Sequence, residues 1–351
     1  MDALRVVKDF EKYALEEKMS PNAKMYFSAG AISLTTPRYN EEALNRYMIR
    51  PRVLRDVSNV QTDCQLLGAG VSFPIGISPV ALHQFAHPEG ELATVRGSCK
   101  EDCVFVLSTA SSTKLEDVAK AAFSVGGHAE PKIWMQVYIH KDRNITLDLI
   151  RKAESSGFSA IVITVDSPNS GLWRNVFHQQ FFETCKPMLA NLPCLMRYLE
   201  EPALTFEDLK WLKQNTKLPV IVKGILSGED AWEAANCGAS AIFVSNHGGR
   251  LIERVVPTIE VLEEVVEAVG DTGVEVYVDG GIRSGTDIFV CLALGARAVF
   301  VGRPAVWGLA ADGEDGVRRI LQILKQEFLF TMQLAGASKL EDINKNMIVK
   351  M

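Results

Sequence analysis

The sequence predicts an α/β fold, a (β/α)8 TIM barrel, with an N-terminal helical extension and a long loop after strand 4. Three observations lead there. From about residue 70, short runs rich in β-branched residues alternate with helical stretches, and there are eight such runs. Each run is nearly continuous in apolar residues, as parallel strands buried on both faces are. The length of 351 residues is too great for one ordinary domain and suits a barrel with extra helices. A doubly wound sheet is the alternative, because repeated βα units imply parallel strands without showing closure. The organisation expected is one domain over 1–351. Helices and a lead-in fill 1–69, the barrel 70–310, and C-terminal helices 311–351.

Taken in order, residues 4–17 place Val7, Phe10 and Ala14 on one helical face. Ser20-Pro21 then makes a good helix start, with serine as N-cap and proline at the first helical position. The strand runs are 74–79, 104–108, 133–138, 160–166, 219–223, 241–246, 275–279 and 298–302. Helical stretches at 115–122, 147–156, 206–215, 228–237, 259–269 and 286–294 lie between them. One gap breaks the rhythm. Segment 167–204 is too long for an ordinary βα loop. Its Phe177, Phe181, Phe182, Met188, Leu192, Leu195 and Met196 suggest a lid or an oligomer contact, with a membrane-surface patch as the alternative.

Composition narrows the partners. A net charge of −6 argues against nucleic acid, which needs a basic surface. No window is apolar enough for a spanning helix. The start, MDALRVVKDFEKYALEEK, is charged and lacks the apolar run of a signal peptide. The seven cysteines include no CxxC pair, and Cys99 and Cys103 have no His or Cys cluster beside them. Reduced thiols, no metal site and an intracellular protein are expected.

Catalytic groups of a barrel sit where its strands end, so those ends carry the functional reading. They hold Ser78-Pro79-Val80-Ala81, Ser108-Thr109, Gln136 and Tyr138, Thr164 and Asp166, Lys223, Ser245-Asn246-His247, Asp279-Gly280-Gly281-Ile282-Arg283, and Gly302-Arg303. Polar residues at all eight ends would be costly if they only packed, so they describe a lined pocket. DGGIR and VGRP put glycine beside arginine after strands seven and eight, where barrels often bind phosphate. Glycine lets backbone N–H groups approach the phosphate and arginine adds charged forks. Lys223 supplies a fixed positive charge for a group that becomes anionic, or else a structural ion pair. His247 suits proton abstraction near neutral pH. Asp166 can hold its ring and Arg250 can fork a substrate carboxylate. The bland readings are a loop cap for Asp166 and a surface ion pair for Arg250.

These motifs resemble those of the FMN-dependent L-2-hydroxyacid oxidase family, which includes glycolate, lactate and long-chain hydroxyacid oxidases. The resemblance runs from about Tyr26 to the C-terminal helix, apart from 167–204. It is carried in order by YFSAGA, IRPR, FPIGISPVAL, AHPEGE, MQVYIHKDRN, ITVDSP, LPVIVKG, SNHGGR, DGGIRSGTD and LGARAVFVGRP. It implies FMN as cofactor. Val80 and Ala81 then back the flavin, and Ser108, Gln136 and Thr164 make polar contacts to its ring. Lys223 sits at the flavin N1/O2 edge, Asp279 contacts the ribityl chain, and Ser245 joins the cofactor set. Gly281, Arg283, Gly302 and Arg303 hold the phosphate. Tyr26 and Arg250 bind the substrate carboxylate, Tyr138 lies near its hydroxyl, and Asp166 and His247 are the carboxylate–imidazole pair.

The implied reaction oxidises an L-2-hydroxy acid to a 2-keto acid and reduces O2 to hydrogen peroxide. The alternatives are a dehydrogenase passing electrons to a quinone or protein, and a flavin-binding protein without turnover. The resemblance also implies a homotetramer, peroxisomal or cytoplasmic, although the chain ends NMIVKM and not in an SKL-type signal. Four departures bear on the substrate. Ala110 stands where relatives often carry tryptophan, which predicts a roomier pocket. Arg174 lies three residues after Gly171, where the family places its second carboxylate-binding arginine two after a glycine. Leu251-Ile252-Glu253 replaces the usual Gln-Leu-Asp, and Val80 replaces a flavin-contacting threonine.

Overall fold

The computed structural model describes residues 4–126, 130–168, 189–191 and 201–351. Three short helices lead in: α1 (Val7–Tyr13), α2 (Pro21–Phe27) and α3 (Thr35–Leu44). α2 begins as expected, with the Ser20 hydroxyl accepting from the Ala23 N–H and Pro21 at its first position. α1 is shorter than its apolar face implied, passing at Ala14–Lys18 into a π-helical turn. Strand β1 (Tyr47–Ile49) follows, then a hairpin of β2 (Cys64–Leu66) and β3 (Ala69–Val71).

The repeating units come next: β4 (Ile75–Ile77), α4 (Gly90–Lys100), β5 (Val104–Leu107), α5 (Leu115–Ser124), β6 (Ile133–Val137), α6 (Arg143–Ser155) and β7 (Ala160–Thr164). Beyond residue 204 come α7 (Phe206–Gln214), β8 (Val220–Ile225), α8 (Gly228–Asn236), β9 (Ala241–Val244), α9 (Thr258–Val269), β10 (Glu275–Asp279), α10 (Gly285–Ala293) and β11 (Ala298–Val301). Helix α11 (Arg303–Ala335), broken at Asp312 and Gly313, and strand β12 (Ile348–Lys350) complete the chain. Strands β4 to β11 close into a parallel barrel, β11 pairing with β4, which excludes the doubly wound alternative.

Strand parity explains why the site lies at one end. Successive residues alternate between the two faces of a strand. The inward column holds Val106, Trp134, Val162, Ile221, Phe243, Tyr277 and Phe300, all buried. Their rings interlock, with Phe243 and Phe300 centroids 4.7 Å apart and Trp134 and Tyr277 5.6 Å apart. Gly76 makes room for this filling, because a Cβ there would lie 2.3 Å from the Phe300 ring. Two residues further along, the same columns turn polar at Ser78, Ser108, Gln136, Thr164, Lys223, Ser245 and Asp279. A packed apolar plug is therefore roofed by a polar layer where the strands end. At the opposite end, Leu66 and Val71 of the β2–β3 hairpin pack on the plug. That hairpin and the antiparallel β1–β12 pair were not legible beforehand, because three-residue strands carry too little pattern.

Candidate active site

His247 follows β9 and adopts a left-handed backbone, φ +56°. That conformation is unfavourable for a residue with a Cβ and persists only where neighbours hold it. Here the His247 N–H donates to the Ser245 hydroxyl at 3.1 Å, and the Gly249 N–H donates to the Asn246 carbonyl at 2.9 Å. The ring Nδ1 lies 2.9 Å from Asp166 Oδ1. Burial acts to raise the Asp166 pKa, but His247 and Lys223 hold the carboxyl below its ordinary value, so it stays ionised. Gly224 lets Asp166 reach this position, since a Cβ there would fall 2.7 Å from that of Asp166, and its φ is +113°.

Beneath this pair runs a buried polar chain. Lys223 Nζ donates to the Ser245 hydroxyl at 2.8 Å, and Ser245 donates to Asp279 Oδ1 at 2.6 Å. The Ser78 hydroxyl donates to Asp279 Oδ2 at 2.9 Å. Lys223 Nζ also lies 3.7 Å from Asp279 and 5.5 Å from the Phe243 ring centroid. Across the mouth, the Gln136 side chain accepts from the Thr109 N–H at 3.0 Å and donates to Thr164 at 3.1 Å. Ser108 accepts from the Ala110 N–H at 3.1 Å. Val80 and Ala81 are half-buried against the main core.

The expected substrate residues also meet. The Arg250 guanidinium stacks 5.0 Å from the Tyr26 ring centroid, and its Nη1 donates to the carbonyls of Tyr26 and Ala29. Tyr138 feels Asp166, Tyr26 and Arg250 electrostatically, and burial holds its phenol well above the ordinary value. Arg174, Trp173 and the aromatic residues of 167–204 lie outside the described residues.

Three guanidinium groups crowd the ends of β10 and β11. Arg303 spends its donors on the carbonyls of Phe27, Gly248 and Ala29. Burial, Arg250 and Arg283 push its pKa down to about 9. Arg283 lies over Trp307 at 4.9 Å, and its buried Nε has no hydrogen-bond partner among the described residues. Gly280 and Gly281 have φ of +103° and +84°, and Gly302 leads straight into α11. An orphaned buried donor and mutually repelling cations are what a phosphate would satisfy, so these residues fit a phosphate-bearing cofactor. Among the described residues no His, Cys, Asp and Glu cluster could hold a metal ion.

Several supporting residues escaped sequence reasoning. Asn40 on α3 and Asn246 exchange amide hydrogen bonds of 2.9 and 2.7 Å, tying the N-terminal segment to the residue before His247. Fully buried Glu91 accepts from the N–H groups of His83 and Ser112 and from the hydroxyls of Ser112 and Thr113. It stitches the loop after β4 to the loop after β5. Asn191 grips that second loop from the other side, donating to Ser111 and the Thr113 carbonyl and accepting from the Leu115 N–H. The departure at Glu253 is also put to use. It accepts from the N–H groups of Ser33 and Thr35 and from the Ser33 hydroxyl, and hydrogen bonding by the Thr35 and Ser33 side chains lowers its pKa to about 2. Glu91 lies in AHPEGE and Asn246 in SNHGGR, but nothing in those strings names their partners.

The family model described as FMN-dependent dehydrogenase matches residues 15–350. The chain is 39% identical to the human protein named 2-hydroxyacid oxidase 1, over 98% of this chain and 96% of that one. It is 39% identical to a glycolate oxidase of Arabidopsis thaliana, over 97% and 95%. Among solved structures it is similar to a mandelate oxidase with (S)-4-hydroxymandelic acid, with a TM-score of 0.89 and 37% identity over 97% of this chain and 98% of that one. A flavocytochrome b2 with pyruvate bound gives a TM-score of 0.90 at 32% identity, over 99% and 87%.

Proposed function

The chain belongs to the FMN-dependent dehydrogenase family, and from that premise we propose that it oxidises an (S)-2-hydroxy acid to the 2-keto acid and passes the electrons to O2, giving hydrogen peroxide. The observation that carries this reading is the His247–Asp166 pair at 2.9 Å beside Arg250, Tyr26 and Tyr138. Bound FMN supplies the two-electron acceptor. Arg250 and Tyr26 hold the substrate carboxylate. Asp166 takes up Nδ1, so Nε2 is the atom that accepts the substrate proton, and the carboxylate stabilises the imidazolium that results. That proton comes from the hydroxyl if hydride leaves Cα, or from Cα itself if a carbanion forms. Lys223 keeps a cation where negative charge collects as electrons arrive. Ser108, Gln136, Thr164, Ser245 and Asp279 would hold the ring and ribityl chain of the cofactor, together with Val80 and Ala81. Gly281, Arg283, Gly302 and Arg303 take the phosphate.

The likeness to a flavocytochrome favours a second reading, in which a protein or quinone takes the electrons. Ala81 in SPVA supports the oxidase, since some dehydrogenases of the family carry glycine there. One experiment separates them. Purified protein, whose flavin should be released by acid as FMN, is given a panel of 2-hydroxy acids while peroxide and dye reduction are followed. Peroxide at a rate matching substrate loss is expected. Dye reduction without peroxide would establish the dehydrogenase, and FAD or no flavin would overturn the assignment. The reading includes a homotetramer, supported by exposed Val53, Leu54, Phe330 and Leu334 around the contact of the Arg52 N–H with the Ala335 carbonyl. A peroxisomal location draws support from a relative named for it.

The substrate should be larger than glycolate. Ala110 is buried in a loop that Glu91 and Asn191 hold from two sides, so that loop is not at liberty to move in and refill the space of an absent indole. Each buried CH2 contributes about 0.8 kcal/mol, so two or three added methylenes shift kcat/KM by roughly tenfold or more. The parent should prefer 2-hydroxyoctanoate or mandelate over glycolate and lactate, and Ala110→Trp should lose that preference. Glycolate as the parent's best substrate would sink the open-pocket idea and leave the oxidase assignment standing.

A further inference from the structure

The phosphate subsite carries its own anion. Arg283 Nη2 pairs with Glu41 Oε1 at 2.9 Å, its Nη1 donates to the Ile282 carbonyl at 2.9 Å, and its Nε is the buried donor left over. We propose that Glu41 is a resident counter-ion of this subsite, which the FMN phosphate must displace or sit beside, and that its charge limits how tightly the chain holds FMN. The inference rests on the phosphate reading of Arg283 given above.

Two features make the competition unavoidable. First, α3 cannot carry Glu41 away. Its backbone is pressed on the glycine loop, where a Cβ on Gly281 would lie 2.5 Å from the Asn40 carbonyl oxygen and 2.9 Å from the Glu41 nitrogen. The Asn40–Asn246 exchange holds the same turn to the loop after β9. Second, the pair is asymmetric. The Arg283 side chain is 12% exposed and stacked on Trp307, whereas that of Glu41 is 30% exposed. The carboxylate can rotate towards water and the guanidinium cannot follow. A charged group that remains beside a phosphate weakens its binding, and one that rotates away gives up its ion pair with Arg283. Either route costs FMN affinity and leaves the ring contacts untouched. Glu11 on α1 lies within electrostatic reach of Arg283, Arg303 and Glu41, and burial raises its pKa. A second carboxyl at the same arginines is therefore held partly towards its neutral form, while Glu41 keeps the direct contact.

The test compares Glu41→Gln with the parent. Holoenzyme is serially diluted, and the rise in free-flavin fluorescence gives the FMN dissociation constant. A second series adds riboflavin, which has the ring and ribityl chain but no phosphate, as competitor. The variant should hold FMN at least about fivefold more tightly, with riboflavin affinity unchanged. Equal or weaker FMN binding in the variant, in a parent that prefers FMN to riboflavin, would overturn the counter-ion role and make Glu41 a support for Arg283. A parent that binds riboflavin as tightly as FMN would instead overturn the phosphate reading itself.

Discussion

His247→Ala should stay yellow and stop turning over. The imidazole sits with Nδ1 on Asp166, and the proposed chemistry uses its other nitrogen. General-base help is worth about 10²–10⁴-fold in rate, so kcat should fall by at least about 10²-fold. The flavin should remain because the polar chain from Lys223 through Ser245 to Asp279 does not pass through the ring of His247. The backbone should hold its shape as well. Its φ of +56° is imposed by hydrogen bonds from main-chain N–H groups, which alanine retains. Flavin content from the visible spectrum, together with the rate at which substrate bleaches it under anaerobic conditions, separates lost chemistry from lost cofactor. A variant with full flavin and near-parent bleaching would remove His247 from the mechanism.

Most of the barrel was legible because eight apolar runs with strand-ending polar residues are a strong, repeated signal. The observed strands are trimmed by one to three residues in most cases, as at Ala160–Thr164, where Thr164 still pairs with Lys223 and Asp166 lies beyond the ladder, in the site. Site residues were legible for the same reason: Gln136, Thr164, Lys223, Ser245 and Asp279 continue inward columns whose lower members are apolar. Pairings over long sequence distances were not. Asn40 meets Asn246 across 206 residues, and Glu253 meets Ser33 across 220. Neither side of such a pair shows a periodicity that points to the other. Glu41 is the sharpest case. It reads as an ordinary helix-face charge, and only its placement beside Arg283 gives it a role.

Arg250→Lys should weaken the substrate far more than the flavin. The arginine does two things at once: Nη1 is anchored on the carbonyls of Tyr26 and Ala29, and the plane of the guanidinium lies over the Tyr26 ring. That anchoring fixes the direction of the guanidinium, which is what a bidentate grip on a carboxylate requires. A lysine ammonium is a point charge that can serve the carbonyls or the substrate, but cannot form the fork. Burial already lowers the Arg250 pKa, although Tyr26 and Tyr138 oppose this. A lysine starts from a lower intrinsic value, so the same burial brings it closer to losing its charge. Hydrogen bonds to charged groups are worth roughly 1.5–3 kcal/mol, so kcat/KM should fall about 10- to 100-fold. KM should carry much of that loss, because the carboxylate is held before any bond to Cα breaks. Steady-state kinetics on the best acid of the panel, with flavin content measured on the same sample, provide the check. Parent-like kcat/KM would place Arg250 outside substrate binding, whereas loss of flavin with retained affinity for the acid would assign it to the phosphate cluster beside Arg303.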